Sequence, residues 1–101
     1  MNHLEEMLML QKAFQDKFNF HTPLHLIASA IMTEAGELWE ASEGKWWSKK
    51  KHALEKKIEE LVDVLHFFLA YCVEINISAE DLFDRYVQKL STNYERQHKG
   101  Y

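Results

Sequence analysis

The stretch from Leu54 to Val73, LEKKIEELVDVLHFFLAYCV, constrains the fold more than any other: from Leu61 onward only Asp63 and His66 interrupt its apolar residues. Leu54, Ile58, Leu61, Leu65, Phe68 and Cys72 recur with helical period, which predicts a helix over 52–76. Val64, Phe67 and Tyr71 fall on the other side, next to Glu60 and Asp63. A helix apolar around most of its circumference needs cover on more than one face, and a handful of short helices can hardly supply it. A second copy of the chain is the expected cover, so a homo-oligomer, dimer or tetramer, is the expected state.

Glu60 and Asp63 are three residues apart, which puts both carboxylates on one side of that helix, about one turn from each other. In MTEAGELWE, Glu34 and Glu37 repeat the spacing. Four acids from two helices can therefore meet. Burying a charge is costly unless something compensates it, and for converging carboxylates the natural compensation is one or more divalent cations. Oxygen donors alone suit hard cations such as Mg²⁺ or Mn²⁺ rather than zinc, which prefers Cys and His. Mg²⁺ usually bridges a few carboxylates to substrate phosphates, so the cluster points to a phosphate-bearing substrate. The plainer alternative is a set of acids on solvated faces. Asp63, flanked by Val62 and Val64, weighs against it.

The rest of the chain is helical in period. Leu4, Leu8, Gln11, Phe14 and Phe18 share a stripe, and Asn2 with Glu5 is placed to cap it, predicting a helix over 3–19. Asn19 to His21 break the pattern. Thr22 as cap and Pro23 at the first helical position then start a second helix, with Leu24, Ile27, Ala28, Ile31, Ala35 and Leu38 as its apolar stripe and its end near Glu43, before Gly44. Residues 44–51, GKWWSKKK, read as a loop. Ser78 with Asp81 signals a fourth helix, packing through Leu82, Phe83, Tyr86 and Leu90 and fraying over 96–101. With no repeats and no strand-like alternation, residues 1–101 read as one all-α domain of four-helix-bundle type.

Composition bounds what such a domain does. An apolar share of 47% with three Gly and one Pro argues against disorder. A net charge of −4 argues against a nucleic-acid backbone as partner. The amino terminus lacks the basic start and apolar core of a signal peptide, and no apolar run approaches the roughly 18 residues of a membrane span. Cys72, the lone cysteine, reads as a packed thiol in a reducing compartment, and the expected location is the cytoplasm.

Further residues have two readings each. Lys89, Asn93 and Arg96 share a helix face and offer donors suited to phosphate oxygens, or are a solvated polar face. Trp46 and Trp47 either cover a core edge or wall a ligand pocket. His66, one turn after Asp63, is either a core histidine bonded to a carbonyl or a contact to a base or sugar. His21 and His25 offer at most half a zinc site, straddling a proline with no cysteine nearby.

The acidic pairs, with 22 residues between them, resemble the signature of the all-α nucleoside triphosphate pyrophosphatases, which include the MazG-type proteins and the dimeric dUTPases. The loop KWWS, the string LEKKIEELVDVLHFFL and the tail KLSTNYERQHKGY are similar to the dimeric dUTPases, over residues 4–101. The resemblance implies that Glu34, Glu37, Glu60 and Asp63 hold Mg²⁺, with Glu34 or Glu37 also orienting and deprotonating the attacking water. It implies that Lys89, Asn93 and Arg96 bind the phosphate chain, and that Gln11, Trp47, His66 and Phe67 line the uracil pocket. Typical dimeric dUTPases are longer, with extra helices completing the pocket. The expected activity is Mg²⁺-dependent hydrolysis of dUTP to dUMP and pyrophosphate, with dUDP a second substrate. The alternatives are a house-cleaning pyrophosphatase acting on dCTP or damaged nucleotides, and a non-catalytic helical module whose acids only bind metal or set oligomer register. A di-iron bundle ranks below these because the second acid–histidine pair is missing.

Overall fold

The computed structural model describes residues 2–100. Four helices account for most of them: α1 (His3–Phe18), α2 (Leu24–Ala41), α3 (Leu54–Glu74) and α4 (Ala79–His98). No strand forms among the described residues, and the architecture is all-α, as the periodicity predicts. Among the described residues, no single helix is long and apolar enough to cross a membrane.

Local chemistry sets the ends. The Asn2 side chain accepts from the Glu5 N–H at 2.8 Å, and Ser78 Oγ accepts from the Asp81 N–H at 3.0 Å, so α1 and α4 start at their expected caps. The start of α2 differs from expectation: Pro23 itself stands at the cap position, and no side chain caps the helix. Proline needs no partner for a missing N–H, so the lost cap leaves one fewer orphan donor. Each of the first three helices is followed by a left-handed residue: Asn19, Glu43 and Asn76. Asparagine tolerates that conformation, whereas Glu43 does so at a cost of roughly 1–2 kcal/mol. Its carboxylate helps to hold the turn by accepting the His52 N–H at 2.9 Å and pairing with Lys57 at 3.3 Å. Gly44 is required for a different reason. The Trp39 indole occupies the space a Cβ would need.

Helices α2 and α3 pack antiparallel: Glu37 faces Glu60 near one end, and Ile27 and Ala70 line a common cavity near the other. α1 lies across α3, and the small core comprises Ile27, Ala41, Leu69, Ala70, Cys72 and Ala79 among the described residues. α4 leaves α3 at 114° and, of the other helices, touches only α1. The result is open. The radius of gyration is 16.5 Å, where a compact domain of this length has about 13 Å. Leu54, Ile58, Leu61, Leu65 and Phe68 of α3 stay exposed, as do Phe83, Tyr86 and Leu90 of α4.

Candidate active site

The α2–α3 hairpin brings three of the four expected acids together. Glu34, Glu37 and Glu60 each offer one carboxylate oxygen within 4.8 Å of the other two. Glu60 is only 5% exposed, Glu34 is half-buried and Glu37 is on the open side. Asp63, one turn further along α3, is half-buried and outside this cluster.

The electrostatics are unbalanced. Lys56 Nζ lies 2.7 Å from Glu60 Oε1, one ammonium against three carboxylates. Glu60 raises the Lys56 pKa above its ordinary value. Glu37 is held above the usual carboxylate range, first by its contact with Glu34 and then by Glu34's charge, burial and Glu60. The Oε2 atoms of Glu34 and Glu60 are buried and have no hydrogen-bond partner. Buried carboxylate oxygens without a donor are costly, and a cation is the partner that would satisfy several at once. The all-oxygen set suits a hard divalent ion.

Alongside the cluster, α1, α2 and α3 enclose an open pocket of about 730 Å³. Gln11, His66 and Phe67 line it, together with apolar side chains that include Phe14, Leu26, Ile27 and Val62. Ala30, also in the lining, precedes Glu34 by one turn of α2, so the pocket and the acids adjoin.

A chain of hydrogen bonds runs along the pocket wall. His66 Nδ1 is 3.3 Å from Gln11 Oε1, Gln11 Nε2 donates to Gln15 Oε1 at 2.9 Å, and Gln15 Nε2 donates to Glu74 Oε1 at 3.4 Å. Gln15 is almost wholly buried. The same Glu74 oxygen lies 2.8 Å from His21 Nδ1, and His21 Nε2 lies 2.9 Å from Asp16 Oδ1. Glu74, and then Asp16, raise the His21 pKa above its ordinary value. With both nitrogens engaged by carboxylates, His21 forms no zinc pair with His25. Gln15 and Glu74 escape sequence reasoning, although the spacing of Gln15 four residues after Gln11 is a signal of an amide pair on one face.

The remaining expected residues lie elsewhere in the chain. Trp47 is outside the pocket lining and packs on Trp39, ring centres 6.5 Å apart, and edge-on to Trp46 at 5.7 Å. Lys89, Asn93 and Arg96 are exposed on α4, which touches neither α2 nor α3 among the described residues.

Residues 3–79, from α1 through both acid-bearing helices, match the family model described as dUTPase. The chain belongs to the all-α dUTPase-like family. Curated relatives include two proteins named dCTP pyrophosphatase, from Enterobacteria phages T4 and LZ5. Each is 35% identical, over 80 and 81 residues respectively, covering 67% of this chain and 44% of the relative. The chain thus spans less than half the length of these relatives. No solved structure matches it. Most of α4, with Lys89, Asn93 and Arg96, lies beyond the segment the family model covers.

Proposed function

We propose that the protein is a Mg²⁺-dependent diphosphatase of pyrimidine deoxynucleoside triphosphates, releasing the monophosphate and pyrophosphate, with dUTP as substrate. The observation that carries this reading is the convergence of Glu34, Glu37 and Glu60 beside a pocket of a size suited to a nucleoside. The phage relatives' names favour dCTP as a second reading.

Glu34, Glu37 and Glu60 would hold the metal, with Asp63 close enough in sequence to join them on a small shift of α3. Bound Mg²⁺ would neutralise the triphosphate and the departing pyrophosphate. Water must open the anhydride between the α and β phosphorus atoms. Its oxygen enters one product, and its proton passes to a carboxylate oxygen. Glu37 suits that role, since Glu34 and Glu60 raise its proton affinity while it stays on the open side of the cluster. The pocket would hold the base against Phe67 with His66 at its edge, and exclude water from that side.

The reading includes a homo-oligomer. The exposed apolar faces of α3 and α4 and the large radius of gyration support it, because a second copy would cover what four helices leave open. Assembly would also be the route by which Lys89, Asn93 and Arg96 meet the phosphates. A panel of deoxynucleoside triphosphates assayed for pyrophosphate release with Mg²⁺ tests the function. Release from dUTP or dCTP above the purine nucleotides is expected. No release from any pyrimidine triphosphate would refute it.

A further inference from the structure

The chain of side chains along the pocket wall has a direction. A carboxylate only accepts hydrogen bonds, so Glu74 obliges Gln15 to turn its NH₂ group toward it. The Gln15 carbonyl oxygen is then left for the Gln11 NH₂, and the Gln11 carbonyl oxygen for His66. Because Gln15 is 2% exposed, water is a poor substitute for its partners and its amide does not turn over freely, and half-buried Gln11 takes the orientation that the Gln15 oxygen sets. Glu74 is anchored in turn by His21, which donates to it from the α1–α2 corner.

His66 meets a carbonyl oxygen at Nδ1, so Nδ1 carries the proton, and a neutral ring then has a bare Nε2. No protein group among the described residues bonds Nε2, and His66 lines the pocket. We propose that Glu74, acting through Gln15 and Gln11, is a positioning residue that fixes His66 in the Nδ1–H form, so that its Nε2 accepts a hydrogen bond from an N–H group on the base. The inference rests on the base occupying this pocket, as proposed above. It adds that the ligand is a heterocycle with an N–H on its pairing edge, and that residues remote from the ligand set that preference. Uracil (through N3–H) and cytosine (through its amino group) both qualify. A 2-pyrimidinone, which has neither group, does not.

Two measurements test this. Nitrogen NMR of histidine-labelled protein, read at a pH where the ring is uncharged and with His66 assigned by its loss in His66→Asn, is expected to show His66 protonated at Nδ1 and bare at Nε2. Gln15→Met, which keeps the volume and frees Gln11 to turn, should give a mixture of the two ring tautomers, and Glu74→Gln should do the same without changing the core. A wild-type neutral ring protonated at Nε2 overturns the proposal, and so does an Nδ1–H form that persists in both variants. The second measurement compares dUTP or dCTP with the 2-pyrimidinone deoxynucleoside triphosphate. Wild type should favour the N–H-bearing base by about fivefold or more in kcat/KM. Gln15→Met should erase that preference through KM, with kcat held within about twofold. An unchanged preference would contradict the relay. If no pyrimidine triphosphate is turned over at all, the enzymatic reading fails, while the His66 spectrum still decides the relay.

Discussion

The α2–α3 hairpin and α4 are helical segments of one small chain, yet they differ in how far each is finished. The hairpin packs against itself, buries Glu60 and assembles three carboxylates from two helices. α4 carries a side-chain cap, but among the described helices it touches only α1, and it leaves Phe83, Tyr86, Leu90 and Tyr94 exposed. The difference teaches that helix formation and burial are separable. Caps and propensity define α4, whereas only packing can account for Glu60, and among the described helices α4 has only its contact with α1.

The sharpest break to this contrast is at the hairpin. Glu60→Gln keeps the volume and removes one charge from the cluster; pyrophosphate release should fall by roughly 100-fold or more, with the helical circular dichroism unchanged. On the other side, Leu90→Asp places a charge in α4's apolar stripe. Self-association measured by sedimentation equilibrium should weaken by about 100-fold, since a buried unpaired charge is not tolerated at an interface. A variant that associates as tightly as wild type would show that α4 is not the covered face.

Smaller effects sharpen the same comparison. Mg²⁺ at about 100 times its dissociation constant should stabilise the protein by about 2.7 kcal/mol, seen as a raised melting temperature. The sign with pH follows from Glu37. Its pKa is raised by like charges, so repulsion in the cluster is absent below its ordinary value of 4.5 and appears as pH rises through the raised value. The gain from Mg²⁺ should therefore vanish in acid and grow toward neutrality. The smallest effect is expected at His21. Its pKa is raised, so its contribution to stability is present below the ordinary 6.5 and lost as pH rises through the folded value. Thermal melts of wild type should decline over that window, and those of His21→Ala should be flatter.

Much of this arrangement was legible in the residues. The four helices follow from apolar period, and two of their starts from Asn2 and Ser78. The acid pairs follow from spacing. The burial order within them does not: Asp63 looks the more enclosed because Val62 and Val64 flank it, yet Glu60 is the buried acid. The reason is that the apolar run around Asp63 is itself largely exposed in one chain, with Leu61, Val62 and Leu65 at 56%, 42% and 37%. Local hydrophobicity marks a surface that favours cover, and does not say which element of the chain, if any, supplies it. Gln15 shows the same limit from the other direction. The stripe assigns packing to Phe14 and Phe18, while a buried amide is made tolerable by Glu74, which lies 59 residues away and cannot be paired with it from period.

The proposed activity requires cations and nucleotide to share the carboxylates of the hairpin. Electron paramagnetic resonance of Mn²⁺ titrated into the protein, with and without a non-hydrolysable α,β-imido dUTP, tests this most directly. Mn²⁺ should bind much more tightly with the nucleotide present, and Glu37→Gln should abolish the enhancement. Equal Mn²⁺ binding with and without nucleotide, or an enhancement that survives both Glu37→Gln and Glu60→Gln, would contradict it.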